Sequence, residues 1–165
     1  MARPADRKIP LVPQAVFVYI LWYPLIAVYP LYVYSLDRID YRVYLAAVIL
    51  DIVISICIYL LYPSSFRRPE PSRKTFSGKV LRILYKCDYR GLNCMPSMHC
   101  SMCFIILFSA WTCSAMGTGI QAGVTVLCCG ILVSTLLTKQ HVLIDMAAAL
   151  LLAAFCTFVS GQTLY

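Results

Sequence analysis

The fold of this chain is decided by residues 100–138, which read CSMCFIILFSAWTCSAMGTGIQAGVTVLCCGILVSTLLT. This stretch contains no charged residue, and a Gly-Thr-Gly sequence begins near its midpoint at Gly117. It therefore predicts an apolar helix, a turn and a second apolar helix that returns. Each arm of roughly 19 residues would be about 28 Å long, close to the thickness of the bilayer hydrocarbon. The two flanking histidines, His99 and His141, would then lie at the same membrane face.

The composition of the whole chain indicates an integral membrane protein. Of its 165 residues, 61% are hydrophobic and 13% are charged, which is too apolar for a soluble domain of this length. The nine cysteines fall mostly inside apolar runs, where cysteine behaves as a small hydrophobic residue, so no disulfide framework is expected. The apolar run from Ile9 to Ser35 is too long for a signal-peptide core, and we expect it to be retained as a span.

Hydropathy predicts an all-α bundle of about five membrane-spanning helices within a single membrane domain, residues 1–165. The predicted spans cover residues 13–35, 43–62, 96–116, 120–138 and 142–161. Pro24 and Pro30 are expected to bend the first span. Asp51 lies in the middle of the second span, where it is either an interhelical hydrogen-bonding residue or part of a polar cavity.

The polar segment between the second and third spans, residues 63–91, is strongly basic. It holds eight lysines and arginines against two acidic residues. Within it, apolar side chains from Val80 to Leu84 alternate with basic ones, which predicts a short amphipathic helix lying on the membrane interface. The charge is most simply explained by topology and by contact with the headgroups of membrane lipids, so no nucleic-acid partner is expected.

Two short motifs at the predicted membrane face contain the only two histidines. They are Pro96-Ser97-Met98-His99 and, later, STLLTKQH at residues 134–141 with Asp145 four residues on. Cleavage of a phosphoester needs a nucleophile, a proton donor for the leaving oxygen, and cations or N–H dipoles around the other oxygens. Two histidines can supply the first two roles. Because Asp145 can orient one ring nitrogen of His141 and leave the other to attack, His141 is the better nucleophile.

Simpler interpretations compete with this one. A histidine at a membrane interface is often only a polar anchor, although ionisable residues bordering spans are candidates for function. His99 and Cys103 lie one helical turn apart, close to Cys94 and Cys100, which could suggest a metal site. Cys100 points elsewhere on a helix, however, and no second cluster completes a tetrahedral set. We therefore expect neither a metal nor a cofactor.

The motifs together resemble the three-part signature of the type 2 phosphatidic acid phosphatase superfamily. The usual pattern is Lys-x6-Arg-Pro, then Pro-Ser-Gly-His, then Ser-Arg-x5-His-x3-Asp. Here the first block ends in Arg68-Pro69, and the blocks follow in the same order over residues 62–154. Three positions depart from the pattern, with Leu61, Met98 and Thr135 in place of the lysine, the glycine and the arginine.

The resemblance implies a membrane-embedded, metal-independent lipid phosphate phosphatase that acts through a phosphohistidine. It assigns the nucleophile to His141, the orienting carboxylate to Asp145 and the proton donor to His99. The expected phosphate contacts, partly from the resemblance and partly from position, are Arg67, Arg68, Ser97, Ser134 and Lys139. Lys139 is included because it follows Thr135 by one helical turn and can replace the missing arginine.

Two alternatives stay open. The missing lysine and arginine make the chain closer to the branch that contains inositol-phosphoryl transferases and their bacterial relatives. That branch implies a lipid phosphotransferase, which transfers a phosphoryl headgroup to an alcohol such as an inositol or a sugar. The other alternative is a non-catalytic relative that binds lipid headgroups.

The expected substrate is an isoprenyl or diacylglycerol phosphate or diphosphate, whose tail stays in lipid while its head reaches the site. With five spans, the N-terminus, the basic loop and Lys139 share one face and carry twelve of the fourteen lysines and arginines. The positive-inside rule places that face in the cytoplasm. We expect a multi-pass protein of a prokaryotic plasma membrane with a cytoplasm-facing site, and the sequence leaves the oligomeric state open.

Overall fold

The structure is a computed structural model that describes residues 6, 8–65, 68–87 and 95–164. Within these ranges the chain forms a short 3-10 helix, Pro13–Ala15, followed by seven α-helices. The helices are α1 (Val16–Ile20), α2 (Trp22–Leu36), α3 (Arg38–Leu61), α4 (Phe76–Cys87), α5 (Met98–Thr112), α6 (Thr118–Leu137) and α7 (Leu143–Leu164). The prediction of an all-helical membrane protein is confirmed at this level.

Four of the described segments are long and apolar enough to cross a membrane, namely Pro13–Leu36, α3, α6 and α7. The helix α5 is apolar but has only 15 residues, so its length is about 22 Å and less than the hydrocarbon thickness. It ends at Thr112, whereas the sequence predicts a span to residue 116. The prediction of about five spans is thus supported for four of them.

The first span is interrupted between α1 and α2, and proline chemistry explains the position. Pro24 has no N–H to donate to the carbonyl of Ile20, the residue at which α1 ends. Pro30 lies inside α2 without ending it. The second span begins at Arg38, earlier than predicted, because the Asp37 carboxylate caps α3. It accepts hydrogen bonds from the backbone N–H groups of Ile39 and Asp40 at 2.6 and 2.9 Å.

The centre of the bundle is formed by α3, α5 and α7, with α6 packed on α5. Small side chains let α7 approach its neighbours closely. Its buried positions are Asp145, Ala149, Ala153, Cys156 and Ser160. Because these positions recur every three or four residues, they form one continuous face of the helix.

Two hydrogen bonds join α3 to the beginning of α5. The carboxylate of Asp51, which is fully buried, accepts from the hydroxyl of Ser101 at 2.7 Å. Two turns further along α3, the hydroxyl of Tyr59 donates to the carbonyl of Pro96. Of the two roles considered for Asp51, the interhelical hydrogen bond is therefore the one observed.

One end of the bundle gathers the polar segments of the chain. The backbone N–H of Val12 donates to the carbonyl of Leu137 at 2.9 Å, next to the turn between α6 and α7. The helix α4 packs at the same end, against the 3-10 helix and α1, and buries Ser77, Gly78 and Leu81. The helix predicted within the basic loop is thus present, and its position at a membrane interface stays a prediction.

We expect Gly78→Ala to loosen α4, because an added Cβ would lie 2.1 Å from the carbonyl oxygen of Ser72. Overpacking of this kind typically costs about 1–3 kcal/mol. The measurement is the rate of trypsin cleavage at the basic residues of α4 in detergent, which should rise. Gly130→Ala is the matched control, since its Cβ would meet only a Val18 methyl at 3.5 Å. Equal cleavage rates in the two variants would contradict this packing.

Candidate active site

The two histidines lie side by side at the polar end of the bundle. His99 is in the first turn of α5, and His141 is in the turn that precedes α7. Their ring centroids are 5.9 Å apart and the ring planes are inclined by 47°. His141 is buried and His99 is half-buried. A pair of proton-transferring groups at this separation can act on opposite sides of one small reacting group.

His141 is paired with Asp145, as the spacing of the two residues predicts. The distance from Nδ1 of His141 to Oδ2 of Asp145 is 3.6 Å, within ion-pair range but longer than a hydrogen bond. The same carboxylate oxygen accepts from the backbone N–H of Val142 at 3.0 Å, which fixes it at the start of α7. Among the described residues, Nδ1 of His141 and Oδ1 of Asp145 are buried without a hydrogen-bond partner. Catalytic contacts of this kind often tighten only when substrate binds.

His99 is surrounded by aromatic side chains from the first span. The hydroxyl of Tyr19 lies 2.7 Å from Nε2 of His99, and the Trp22 ring centroid lies 4.2 Å from that of His99. Both aromatic residues are buried. Sequence analysis misses them, because nothing in the spacing relates Tyr19 to a residue 80 positions later. The sole signal is that Tyr19 and Trp22 lie one helical turn apart.

Ser97 connects the two histidine motifs through the backbone. Its N–H donates to the carbonyl of Asp145 at 3.4 Å, and its hydroxyl accepts from the N–H of Cys100 at 3.3 Å. Ser97 is therefore the N-cap of α5. Since α5 and α7 both begin here, the positive ends of two helix dipoles meet at the histidine pair.

The residues at the end of α6 are bonded within their own helix. The hydroxyl of Ser134 donates to the carbonyl of Ile131 at 2.6 Å, and that of Thr135 donates to the carbonyl of Leu132 at 2.7 Å. Thr135 is fully buried, and its hydroxyl lies 3.6 Å from the sulfur of Cys100. This position faces the neighbouring helix.

Arg68 reaches the site from the basic loop. Its guanidinium donates to the carbonyl of Gln140 at 3.5 Å and lies over the ring of Tyr85, 5.1 Å from the centroid. The hydroxyl of Tyr85 in turn donates to the carbonyl of Thr138. Burial raises the pKa of Tyr85 to about 12, although the Arg68 charge lowers it, so the phenol stays a neutral donor at physiological pH. Arg67 lies outside the described residues.

Lys139 bonds to the N-terminal segment. Its ammonium donates to the carbonyl of Asp6 at 2.8 Å, and the Asp6 carboxylate accepts from the N–H of Leu143 at 2.9 Å. Lys139 has a φ of 53°, in the left-handed region. The spacing alone suggests that Lys139 continues the helical face of Thr135. It does not, because the helix α6 ends at Leu137.

The neighbouring Gln140 is a third residue that the sequence motifs do not indicate. It is fully buried, and neither atom of its carboxamide has a hydrogen-bond partner among the described residues. A buried amide without partners costs about 1–3 kcal/mol per group. Gln140, adjacent to His141 in the chain, therefore adds an unpartnered polar group to the described residues at this end of the bundle.

The described residues contain no group of three or more histidine, cysteine, aspartate or glutamate side chains placed to hold a metal ion. Comparison of the chain with family models, with curated proteins and with solved structures finds no match. Its function must therefore be inferred from its own residues and their geometry.

Proposed function

We propose that this protein is a membrane-embedded, metal-independent phosphatase of lipid phosphates that acts through a phosphohistidine. The observation that carries the proposal is the polar-end triad of two histidine rings, 5.9 Å apart, with the Asp145 carboxylate 3.6 Å from Nδ1 of His141. The motif resemblance to the type 2 phosphatidic acid phosphatase superfamily supports the same reaction. A nucleophile with an orienting carboxylate, beside a proton donor, supplies two of the three things that phosphoester cleavage needs.

In the first step, Nε2 of His141 attacks phosphorus while the bond from phosphorus to the leaving oxygen breaks. The positive charge that develops on the ring is stabilised by the Asp145 carboxylate beside Nδ1. His99 gives its proton to the leaving oxygen, which departs as the lipid alcohol. In the second step, a water molecule attacks the phosphohistidine and His99 takes its proton. Inorganic phosphate is released and His141 is regenerated.

The negative charge of the phosphate is met by helix ends and by cations. The first backbone N–H groups of α5, which Ser97 caps, can donate hydrogen bonds to the phosphate. Ser134 is close in sequence to the turn that holds His141. Arg68 brings a positive charge to the carbonyl of Gln140. Arg67, which lies outside the described residues, stays a proposed phosphate contact. Lys139 is the third proposed cation, and its ammonium also donates to the backbone carbonyl of Asp6.

A site at the end of an apolar bundle favours an amphiphilic substrate. The lipid tail of an isoprenyl or diacylglycerol phosphate would remain among the spans, and α4 would lie on the interface beside the headgroup. In this arrangement α5 is a fifth crossing segment, shorter than the others and compensated by local thinning of the bilayer. The protein would then be a multi-pass component of a prokaryotic plasma membrane.

A lipid phosphotransferase is the second candidate, favoured by the burial around the nucleophile. His141 is only 8% exposed, and the fully buried carboxamide of Gln140 is next to it in the chain. A carboxamide without partners is suited to hold the hydroxyl of an acceptor alcohol, which would replace water in the second step. Phosphate release and transfer can be distinguished in one assay.

We expect purified protein in detergent to release phosphate from a panel of lipid phosphates, and His141→Ala to abolish turnover while the protein stays folded. Asp145→Asn should lower kcat by orders of magnitude, because the ring loses its orienting charge. His99→Ala should be least harmful when the leaving group is already acidic. The assay is run with and without inositol and sugar alcohols, and with a chelator.

Appearance of a phosphorylated alcohol in place of phosphate would favour the transferase. Wild-type rates in His141→Ala, or activity lost with a chelator and restored by a divalent cation, would contradict the proposal. Gln162→Ala, at the far end of α7, serves as the control for general damage.

If cations bind the phosphate, substitutions of Lys139 and of Thr135 should affect the activity differently. Lys139→Ala should lose most of the activity, because a charge at the phosphate is removed, whereas Thr135→Ala should lose little, because this hydroxyl is bonded within α6. Lys139→Arg should retain part of the activity. Steady-state kinetics of the three variants, with thermal unfolding as a check on the fold, make the measurement. Full activity in Lys139→Ala would exclude this lysine from the site.

The distribution of basic residues also predicts the orientation of the site. Cys87, exposed at the end of α4, lies at the polar end of the bundle, and Ser35 is exposed near the opposite end. In a variant with the other eight cysteines replaced, we expect Cys87 to resist a membrane-impermeant maleimide in intact cells and to react after permeabilisation. The matched variant with Ser35→Cys and Cys87→Ser should react in intact cells. The reverse pattern would place the site outside the cell.

A further inference from the structure

We propose that the cavity between residues 69–71 and the second half of α4 is a second anion site, which binds the phosphate of an anionic headgroup. The cavity has a volume of about 240 Å³. Three of the described residues that line it are basic, namely Arg68, Arg82 and Lys86, and neither histidine is among them. The site adjoins the candidate active site but differs from it, and the proposal does not rest on the proposed function.

The first step of the inference is the arrangement of cations on α4. Arg82, Tyr85 and Lys86 are three and four residues apart, so their side chains lie on one face of the helix. All three line the cavity. Because Arg82 and Lys86 carry like charges on adjacent turns, they repel each other. An anion between them would remove this repulsion.

The second step is the balance of charge. Among the described residues of the lining, one side chain is acidic, Glu70, against the three basic ones. It lies 3.4 Å from Nη2 of Arg82, and its side chain is 85% exposed. Such an exposed ion pair contributes little to stability, so a phosphate can replace it. Nε of Arg82 has no hydrogen-bond partner in the described part of the chain, so the guanidinium has bonding capacity left.

The third step concerns the walls of the cavity. Nη2 of Arg82 also donates to the carbonyl of Pro71 at 3.1 Å, which holds the loop against α4. On the other side, the Arg68 guanidinium lies over the Tyr85 ring, and the Tyr85 hydroxyl donates to the carbonyl of Thr138. These contacts form the cavity from the protein's own residues. A preformed site binds its ligand with a smaller loss of conformational entropy.

The neighbouring face of α4 favours a lipid as the source of the phosphate. Phe76 and Ile83, seven residues apart on one side of the helix, are 73% and 62% exposed. An apolar row beside basic side chains is typical of a helix in the membrane interface, where the headgroups of anionic lipids lie. The cavity is smaller than the sites of drug-sized ligands, which are about 300–1,000 Å³. It therefore suits a headgroup whose acyl chains stay in the bilayer.

The test is native mass spectrometry of the full-length protein in detergent, with dioleoylphosphatidylglycerol as the probe. This lipid is a phosphodiester, so a phosphatase of phosphate monoesters does not consume it. Each basic residue near an anionic headgroup should contribute roughly a factor of five to the affinity. We therefore expect the double variant Arg82→Gln with Lys86→Gln to raise the Kd of the first bound lipid roughly 25-fold.

The matched control is the double variant Lys74→Gln with Lys79→Gln. Both lysines are exposed and belong to the same basic segment, and neither is among the described residues that line the cavity. We expect its Kd to stay within about threefold of wild type, because salt screens charges that lie more than about 8 Å apart. Equal losses in the two double variants would indicate diffuse attraction to the whole segment and would overturn the site.

A Glu70→Gln variant distinguishes recognition of the anion from damage to the fold. It removes the negative charge of the lining and releases Arg82 from its carboxylate partner. The Kd for phosphatidylglycerol should therefore fall, by roughly fivefold. A loosened loop would weaken binding instead. A Kd equal to that of wild type, or higher, would contradict the proposal.

Two further probes identify the source of the anion. Dioleoylphosphatidylcholine has the same acyl chains but no net charge, so it should bind roughly tenfold more weakly or worse. Equal affinity would contradict recognition of charge. Binding of inorganic phosphate is followed by ³¹P NMR without lipid. If the Arg82 and Lys86 double variant weakens it, free phosphate is a ligand of this site, and if not, the lipid headgroup is. The proposal fails if neither probe depends on Arg82 and Lys86.

Discussion

The hydrogen bond from the backbone N–H of Ser97 to the carbonyl of Asp145 joins the beginnings of two helices, and the site depends on it. The helices α5 and α7 both start at this point, so His99 and His141 meet although 42 positions separate them. The bond length of 3.4 Å is modest, but each helix is also held by α3, through the Ser101 hydroxyl on Asp51 and by direct packing. His99 lies on a packed helix and His141 directly precedes one, so both are positioned more accurately than they would be in a long loop.

Asp145 and His99, the polar groups at this junction, have different surroundings. The Asp145 carboxylate is fixed by the N–H of Val142, and the same oxygen lies 3.6 Å from Nδ1 of His141. His99 is enclosed by phenol and indole. In a membrane protein, where few polar side chains are tolerated, such a concentration of buried polar atoms at one end is the feature that most strongly suggests function.

The sequence predicts those features that depend on local periodicity and length. Residues 100–138 predict the α5 and α6 hairpin, and Gly117 marks its turn as the N-cap of α6. The sequence does not predict the features that depend on contacts between distant parts of the chain. The backbone of Lys139 is left-handed, so this residue does not lie on the helical face of Thr135. The aromatic side chains around His99 come from a segment that is distant in sequence. Neither depends on a pattern that a single sequence displays.

Thr135 stands where the phosphatase pattern that the motifs resemble has an arginine, and its contacts bear on how a phosphate could be bound. Thr135 packs on Cys100, inside the contact between α5 and α6. On the proposed function, positive charge must then come from outside α6, and Arg68 provides it from the loop, through the carbonyl of Gln140 and the ring of Tyr85. The charge that Arg68 supplies would therefore move with the basic loop, whereas the charge of Lys139 would stay with the turn that holds His141. The full neutralisation of the phosphate would then depend on how that loop docks against this turn.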